Sequence, residues 1–141
     1  MERARRTKIL VQGSPRLRAD LSNRVLSSAT VDEVNAPHEG LVMVALRETA
    51  RNTLFNIGEL LVTEAKVQIA GQIGIGIIAG QEPAAARQLA IIDAAYNAGL
   101  AETKAWEELL LAEEGYLLRQ HTVEAGRMAR TKVNFESMDR A

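Results

Sequence analysis

Residues 55–79, FNIGELLVTEAKVQIAGQIGIGIIA, decide the fold. Ile57, Leu61, Thr63, Ala65, Val67 and Ile69 alternate loosely, as residues do along a half-buried strand. Phe55-Asn56-Ile57-Gly58-Glu59 interrupts that pattern with Asn, Gly and Glu, which strands disfavour. A glycine inside a strand marks a bulge or the close approach of another backbone. Residues 56–70 are therefore expected to form one long strand, bent near Gly58. Ala70-Gly71-Gln72 reads as a turn, and Ile73 to Ile78 as the next strand.

Working outward, residues 41–48 form an apolar strand, and Thr49 to Thr53 a polar loop. Thr30-x-x-Glu33 resembles a capping box, but Pro37 and Gly40 follow too soon for a helix, so 31–35 reads as a separate short strand. Strands in succession with short turns make an antiparallel meander. At the N-terminus, residues 3–12 and 15–27 read as two helices broken at Gly13-Ser14-Pro15. Leu17, Leu21 and Val25 line one face of the second. Beyond the sheet, Ala85, Leu89, Ile92 and Tyr96 mark an amphipathic helix opened by Pro83 and stopped by Asn97-Ala98-Gly99. A longer helix runs from about Glu102 to Arg127, with Trp106, Leu110 and Leu117 in its buried stripe and Gly115 as a place for a kink. Residues 131–138 read as an extended arm. The class is α+β: a three- to four-stranded antiparallel sheet with N-terminal helices, a C-terminal helical pair and an extended tail.

At 141 residues and 15.4 kDa the chain is expected to be one domain, residues 1–141. It divides into a basic helical N-terminus (1–28), a sheet (31–80), helices (83–127) and the arm (131–141). The sequence contains no cysteine, which excludes disulfides, thiolate zinc sites and thiolate-held iron–sulfur clusters. The longest strongly apolar run, Ile73 to Ala79, is far short of the roughly 20 residues that span a bilayer. A soluble, cytoplasmic protein is expected. Its net charge of −1 hides an asymmetry: residues 1–28 hold seven Arg or Lys against Glu2 and Asp20, giving +5 there and −6 elsewhere. A basic end on an acidic body suits an anionic ligand, nucleic acid or a complementary partner.

Individual motifs carry little chemistry. Residues 74–80, Gly-Ile-Gly-Ile-Ile-Ala-Gly, satisfy G-x-G-x-x-[GA], but no helix opens inside the motif and no βαβ unit surrounds it. Its glycines are expected to make room for packing across a sheet or for a bulge. His38 and His121 have no Asp, Glu or Cys at metal-ligand spacing. Glu59 and Glu64, five apart on a regular strand, point to opposite faces. No nucleophile with a base is visible, so no catalytic or metal-ligating residue is assigned. The basic segment contains a proline break and no Asn/Gln/Arg cluster for base edges, so nucleic acid is not the expected partner. A small basic-ended nucleic-acid or anion-binding module is the alternative reading.

Phe55-Asn56-Ile57-Gly58-Glu59 with Val62-Thr63 resembles the FNLGE-x-x-VT segment of the PhnG family, a small subunit of the bacterial phosphonate carbon–phosphorus lyase system. Gly40-Leu41-Val42-Met43-Val44, Gly74-x-Gly76, Ala90-Ile91-Ile92-Asp93-Ala94 and Thr131-Lys132-Val133-Asn134-Phe135 follow the family in the same order. The chain departs from it at Glu64 and across 81–86. The resemblance implies a cytoplasmic hetero-oligomer with the subunits PhnH, PhnI and PhnJ, and no membrane. It implies a reaction in which an alkylphosphonate displaces the adenine of ATP ahead of C–P bond cleavage. This chain would be an accessory, non-catalytic subunit binding no cofactor itself, with ATP at complex level and the iron–sulfur cluster and S-adenosylmethionine on a partner. Interface candidates are Phe55, Asn56, Gly58, Glu59 and Thr63, together with Lys132, Val133, Phe135 and Met138 of the arm. Arg3, Arg5 and Arg6 are candidate anion contacts.

Overall fold

The computed structural model describes residues 1–133, so Phe135 and Met138 lie outside the described residues. The elements run α1 (Arg3–Gln12), α2 (Pro15–Ser28), β1 (Asp32–Arg47), β2 (Leu54–Ile69), β3 (Gln72–Ala79), α3 (Pro83–Asn97) and α4 (Thr103–Arg130). The strands form one antiparallel sheet in the order β1-β2-β3. The α+β class is as the residue pattern predicts.

One expectation is corrected. Residues 31–35 and 41–48 are not separate strands but parts of the single sixteen-residue β1. Its register with β2 slips between Glu33 and Asn35 and again between Asn35 and His38. Each slip bulges one extra residue out of β1, and Pro37 lies within the second bulge, where a missing N–H breaks no ladder bond. Among the described residues the sheet therefore has three strands. A further slip pairs Val44 with Gly58 but Ala45 with Asn56, leaving Ile57 unpaired. The bend expected near Gly58 is this bulge.

The core lies between the sheet and α3. Ala65, Val67 and Ile69 of β2 point inward at period 2 and meet Leu89, Ala90, Ile92 and Ala94 of α3. Leu21 and Val25 of α2 and Ile9 and Leu10 of α1 complete it. The glycines of the G-x-G motif make room not across a sheet but for a helix. A Cβ on Gly76 would meet the Ala86 carbonyl oxygen and lie 2.6 Å from the Ala90 nitrogen. Helix α3 thus runs directly over the β3 backbone.

Helix α4 is anchored only in its first half, by buried Trp106 and Leu110. It passes Gly115 without a break, and every residue from Leu118 to Arg130 is exposed. Leu117, expected in the buried stripe, is half-buried. Lys132 and Val133 follow as non-strand backbone.

Trp106 meets Tyr96 edge-to-face at 5.7 Å, and the Arg6 guanidinium sits 3.8 Å from the centre of the Tyr96 ring. The Tyr96 hydroxyl is buried and has no hydrogen-bond partner among the described residues. Burial pushes its pKa above 10.0, partly countered by Arg6. The fold therefore favours the neutral phenol: that contribution is whole below pH 10.0 and is lost as the pH climbs through the raised folded value. Tyr96→Phe keeps both ring contacts and removes the unsatisfied hydroxyl. Thermal melts should show it as stable as the parent or up to about 1 kcal/mol more so, with a weaker alkaline loss.

Candidate functional site

β2 outruns β3. Pairing with β3 covers only Val62 to Ile69, whereas pairing with β1 continues to Leu54. Among the described residues, 40–47 and 54–61 therefore leave the body as a two-stranded ribbon with no third strand beside it. Its apolar residues are exposed: Leu41 is 64%, Met43 60%, Leu46 51%, Leu54 64%, Phe55 49% and Ile57 54% accessible.

Both ribbon faces are bare. Directly paired residues share a face, which puts Val42 with Leu60 and Leu46 with Phe55 on one side, and Leu41 with Leu61 and Met43 with Glu59 on the other. On the body, the first of these faces continues as Ile73, Ile75 and Ile77 of β3, all exposed. An antiparallel sheet with one wet face alternates apolar and polar residues. This ribbon does not, and its composition is that of a strand pair covered on both sides.

The surface area agrees. A compact chain of 15.4 kDa exposes roughly 7,200 Å², and this one exposes 9945 Å². Allowing the eight residues beyond Val133 the full area of unfolded chain, roughly 1,400 Å², still leaves an excess of about that size. The ribbon and the exposed outer half of α4 are the segments that contribute to this excess.

The interface candidates divide. Phe55, Asn56, Gly58 and Glu59 all lie exposed on the ribbon. Thr63 lies on the body instead: it is buried, its hydroxyl donating to the Gly80 carbonyl at 2.6 Å and accepting from the Glu82 N–H at 3.0 Å. It fastens the β3–α3 connection. Lys132 and Val133 are exposed past the end of α4. Glu59 and Glu64 lie on opposite faces, since the β2 bulge at Ile57 precedes both.

The basic N-terminus turns largely inward. Asp93, in the middle of apolar α3, is buried and accepts four hydrogen bonds. They come from Arg3 Nε (3.0 Å), Arg3 Nη2 (2.7 Å), Arg6 Nη2 (2.9 Å) and the Ile75 N–H (3.1 Å). Arg5 forms a bidentate pair with Glu114 on α4, at 2.9 and 2.5 Å. The Arg5 hydrogen bond holds the Glu114 carboxyl below its ordinary value, so this tie strengthens above the carboxylate range and weakens as pH falls. Arg18 is buried, donating to Gln88 Oε1 at 3.2 Å and the Leu10 carbonyl at 2.8 Å, and desolvation lowers its pKa. Four of the seven basic side chains of residues 1–28 are thus engaged within the chain. Arg3 and Arg5 remain half or more exposed, whereas Arg6 is buried.

Among the described residues, no group of three or more His, Cys, Asp or Glu could hold a metal ion. No helix of these residues is long and apolar enough to cross a membrane. His38 Nδ1 lies 3.1 Å from the Ala36 carbonyl in the exposed bulge of β1, and His121 is exposed on α4.

The sequence reading missed Asp93 and the double-sided exposure. A lone carboxylate inside AIIDAAY was the available signal for the first, and the unbroken apolar run Leu41 to Leu46 in an edge strand for the second.

Comparison with known proteins agrees with the sequence resemblance. The family described as "Phosphonate metabolism protein PhnG" matches residues 1–141. The alpha-D-ribose 1-methylphosphonate 5-triphosphate synthase subunit PhnG of Rhizobium meliloti (strain 1021) is 32% identical over 132 residues, spanning 87% of this chain and 83% of the relative. The chain belongs to the PhnG family of phosphonate metabolism proteins.

Proposed function

We propose that this chain is an accessory subunit of a cytoplasmic, phosphonate-metabolising synthase. In that reaction a phosphonate oxygen attacks C1′ of the ATP ribose, and the bond from C1′ to adenine N9 breaks. Adenine leaves, and a ribose 1-alkylphosphonate 5-triphosphate remains for later C–P bond cleavage. The observation that carries the reading is the apolar ribbon, which a free-standing protein would keep covered. The relative's name, a subunit of a ribose 1-methylphosphonate 5-triphosphate synthase, supports the choice of reaction.

In this proposal the chemistry and the cofactors sit on the other subunits, PhnH, PhnI and PhnJ, and this chain braces them. Any contribution to a triphosphate site falls to Arg3 and Arg5, because Arg6 is buried against Asp93 and Tyr96.

Native mass of the tagged chain, expressed alone and with those three subunits, tests the proposal. A stable hetero-oligomer is expected, with ATP- and phosphonate-dependent adenine release that disappears when this chain is omitted. A well-behaved monomer or homodimer that ignores the three partners would overturn it.

A further inference from the structure

We infer that the β1–β2 ribbon inserts into a cleft of a second, different protein chain, which adds a strand to the open edge of β1 and closes on both ribbon faces. The inference rests on the subunit function proposed above and specifies how that subunit is held.

The hydrogen-bonding directions define the edge. Gly80 N–H donates to the Leu61 carbonyl at 2.8 Å, and Glu48 N–H to the Thr53 carbonyl at 2.9 Å. Backbone groups alternate sides along an antiparallel strand. Leu61 therefore faces β3, and in β1 the even-numbered residues Val42, Val44 and Leu46 face β2. The N–H and C=O groups of Leu41, Met43 and Ala45 point out of the sheet. The opposite edge is handled differently: α3 reaches over it, with Asp93 accepting the Ile75 N–H and Asn97 Nδ2 donating to the Ile73 carbonyl at 2.8 Å. The β3 edge is engaged by side chains at Ile73 and Ile75, while the β1 edge is long, apolar and open. An edge of that kind is a template for an added strand.

The two faces exclude a second copy as the sole occupant. Stacking two copies face to face about a twofold axis covers one face of each ribbon and leaves the other bare. Pairing two copies edge to edge satisfies β1 but leaves both faces wet. A cleft in another chain, with an unpaired strand along the β1 wall, covers both faces and the β1 edge at once. The chemistry of the faces describes its lining. The Val42–Leu46 side presents no charge and calls for aliphatic or aromatic residues. The Leu41–Met43 side carries Glu59 opposite Met43 and Arg47 opposite Leu54, so enclosing it calls for polar or charged groups on the partner that match these two side chains.

The test uses the full chain co-expressed with the three subunits named above. Ala45→Pro removes one outward N–H while leaving the apolar faces intact, and Ala45→Thr keeps the N–H at similar size. Ala45→Pro should weaken assembly at least about tenfold and Ala45→Thr no more than about twofold. Met43→Lys and Leu46→Lys, on opposite faces, should each abolish assembly. Circular dichroism and melting of the free chain should be unchanged by all four, since none touches the core. In the wild-type complex, the amides of Leu41, Met43 and Ala45 should exchange with solvent at least about tenfold more slowly than in the free chain.

Equal assembly by the proline and threonine variants overturns the added strand. Loss with only one of the two lysine variants overturns the two-sided cleft. A homodimer of the isolated chain that the lysine substitutions dissolve assigns the surface to a second copy instead. If all four variants assemble and release adenine normally, this inference fails while the subunit function stands. If the wild-type chain does not assemble, the subunit function fails and the inference with it.

Discussion

Gly76→Ala is expected to cost about 3 kcal/mol or more and to remove much of the chain's stability, which for a domain totals roughly 5–15 kcal/mol. The added methyl would collide with the Ala86 carbonyl, 2.6 Å from the Ala90 nitrogen and 2.9 Å from the Leu89 Cβ. The first two are backbone atoms of a buried helix and cannot swing aside as a flexible side chain does. Relief requires α3 to lift off β3, which would open the contact with the sheet that Ala65, Val67 and Ile69 share with Ala90 and Ala94. The melting temperature should fall by about 10 °C or more. Gly58→Ala is the internal control. A Cβ there meets nothing within 4 Å, and the substitution reduces the freedom of the unfolded chain. It should be neutral or slightly stabilising by the same melt. If both substitutions were equally harmless, the direct seating of α3 on β3 would be wrong.

Asp93→Ala is expected to cost about 3–5 kcal/mol, because it leaves the buried Arg6 guanidinium without its carboxylate. Arg3 matters less, since its side chain is 60% exposed and water can replace the lost partner. The Ile75 N–H would also lose its acceptor at the β3 edge. Urea unfolding should therefore show a larger loss for Asp93→Ala than for Arg3→Ala. Asp93→Asn should fall between them, since the amide keeps one acceptor oxygen but offers a donor where Arg3, Arg6 or Ile75 also donates. Equal midpoints for Arg3→Ala and Asp93→Ala would place the main stabilisation in the exposed pair and contradict the buried one.

Features that depend on neighbouring residues are legible in the order of the amino acids. Ser14 and Pro15 set the start of α2, the serine hydroxyl accepting the Arg16 N–H at 3.3 Å. Pro83 opened α3, and Asn97-Ala98-Gly99 ended it, with Gly99 at φ 65°. The period-2 pattern of Thr63, Ala65, Val67 and Ile69 identified β2 and its inward face. Gly58 announced a bulge, and the bulge is there. Such features follow from backbone sterics and from the angular spacing of side chains, both properties of a few consecutive residues.

Relations between distant residues emerge from the folded chain. Pro37 and Gly40 read locally as a strand break, but pairing with β2 carried β1 through both, because bulges absorb the mismatch where no ladder bond is needed from proline. Arg3 and Asp93 are ninety positions apart, and no local pattern separates a charge that will be buried and paired from one left in water. Leu41 to Leu46 is an apolar strand in either case. Whether such a strand is covered depends on what the rest of the chain places beside it. β3 ends opposite Val62, so the ribbon beyond it has no neighbouring strand among the described residues. Apolar patterning records that a surface is meant to be buried; the fold alone shows that the described residues do not supply the cover.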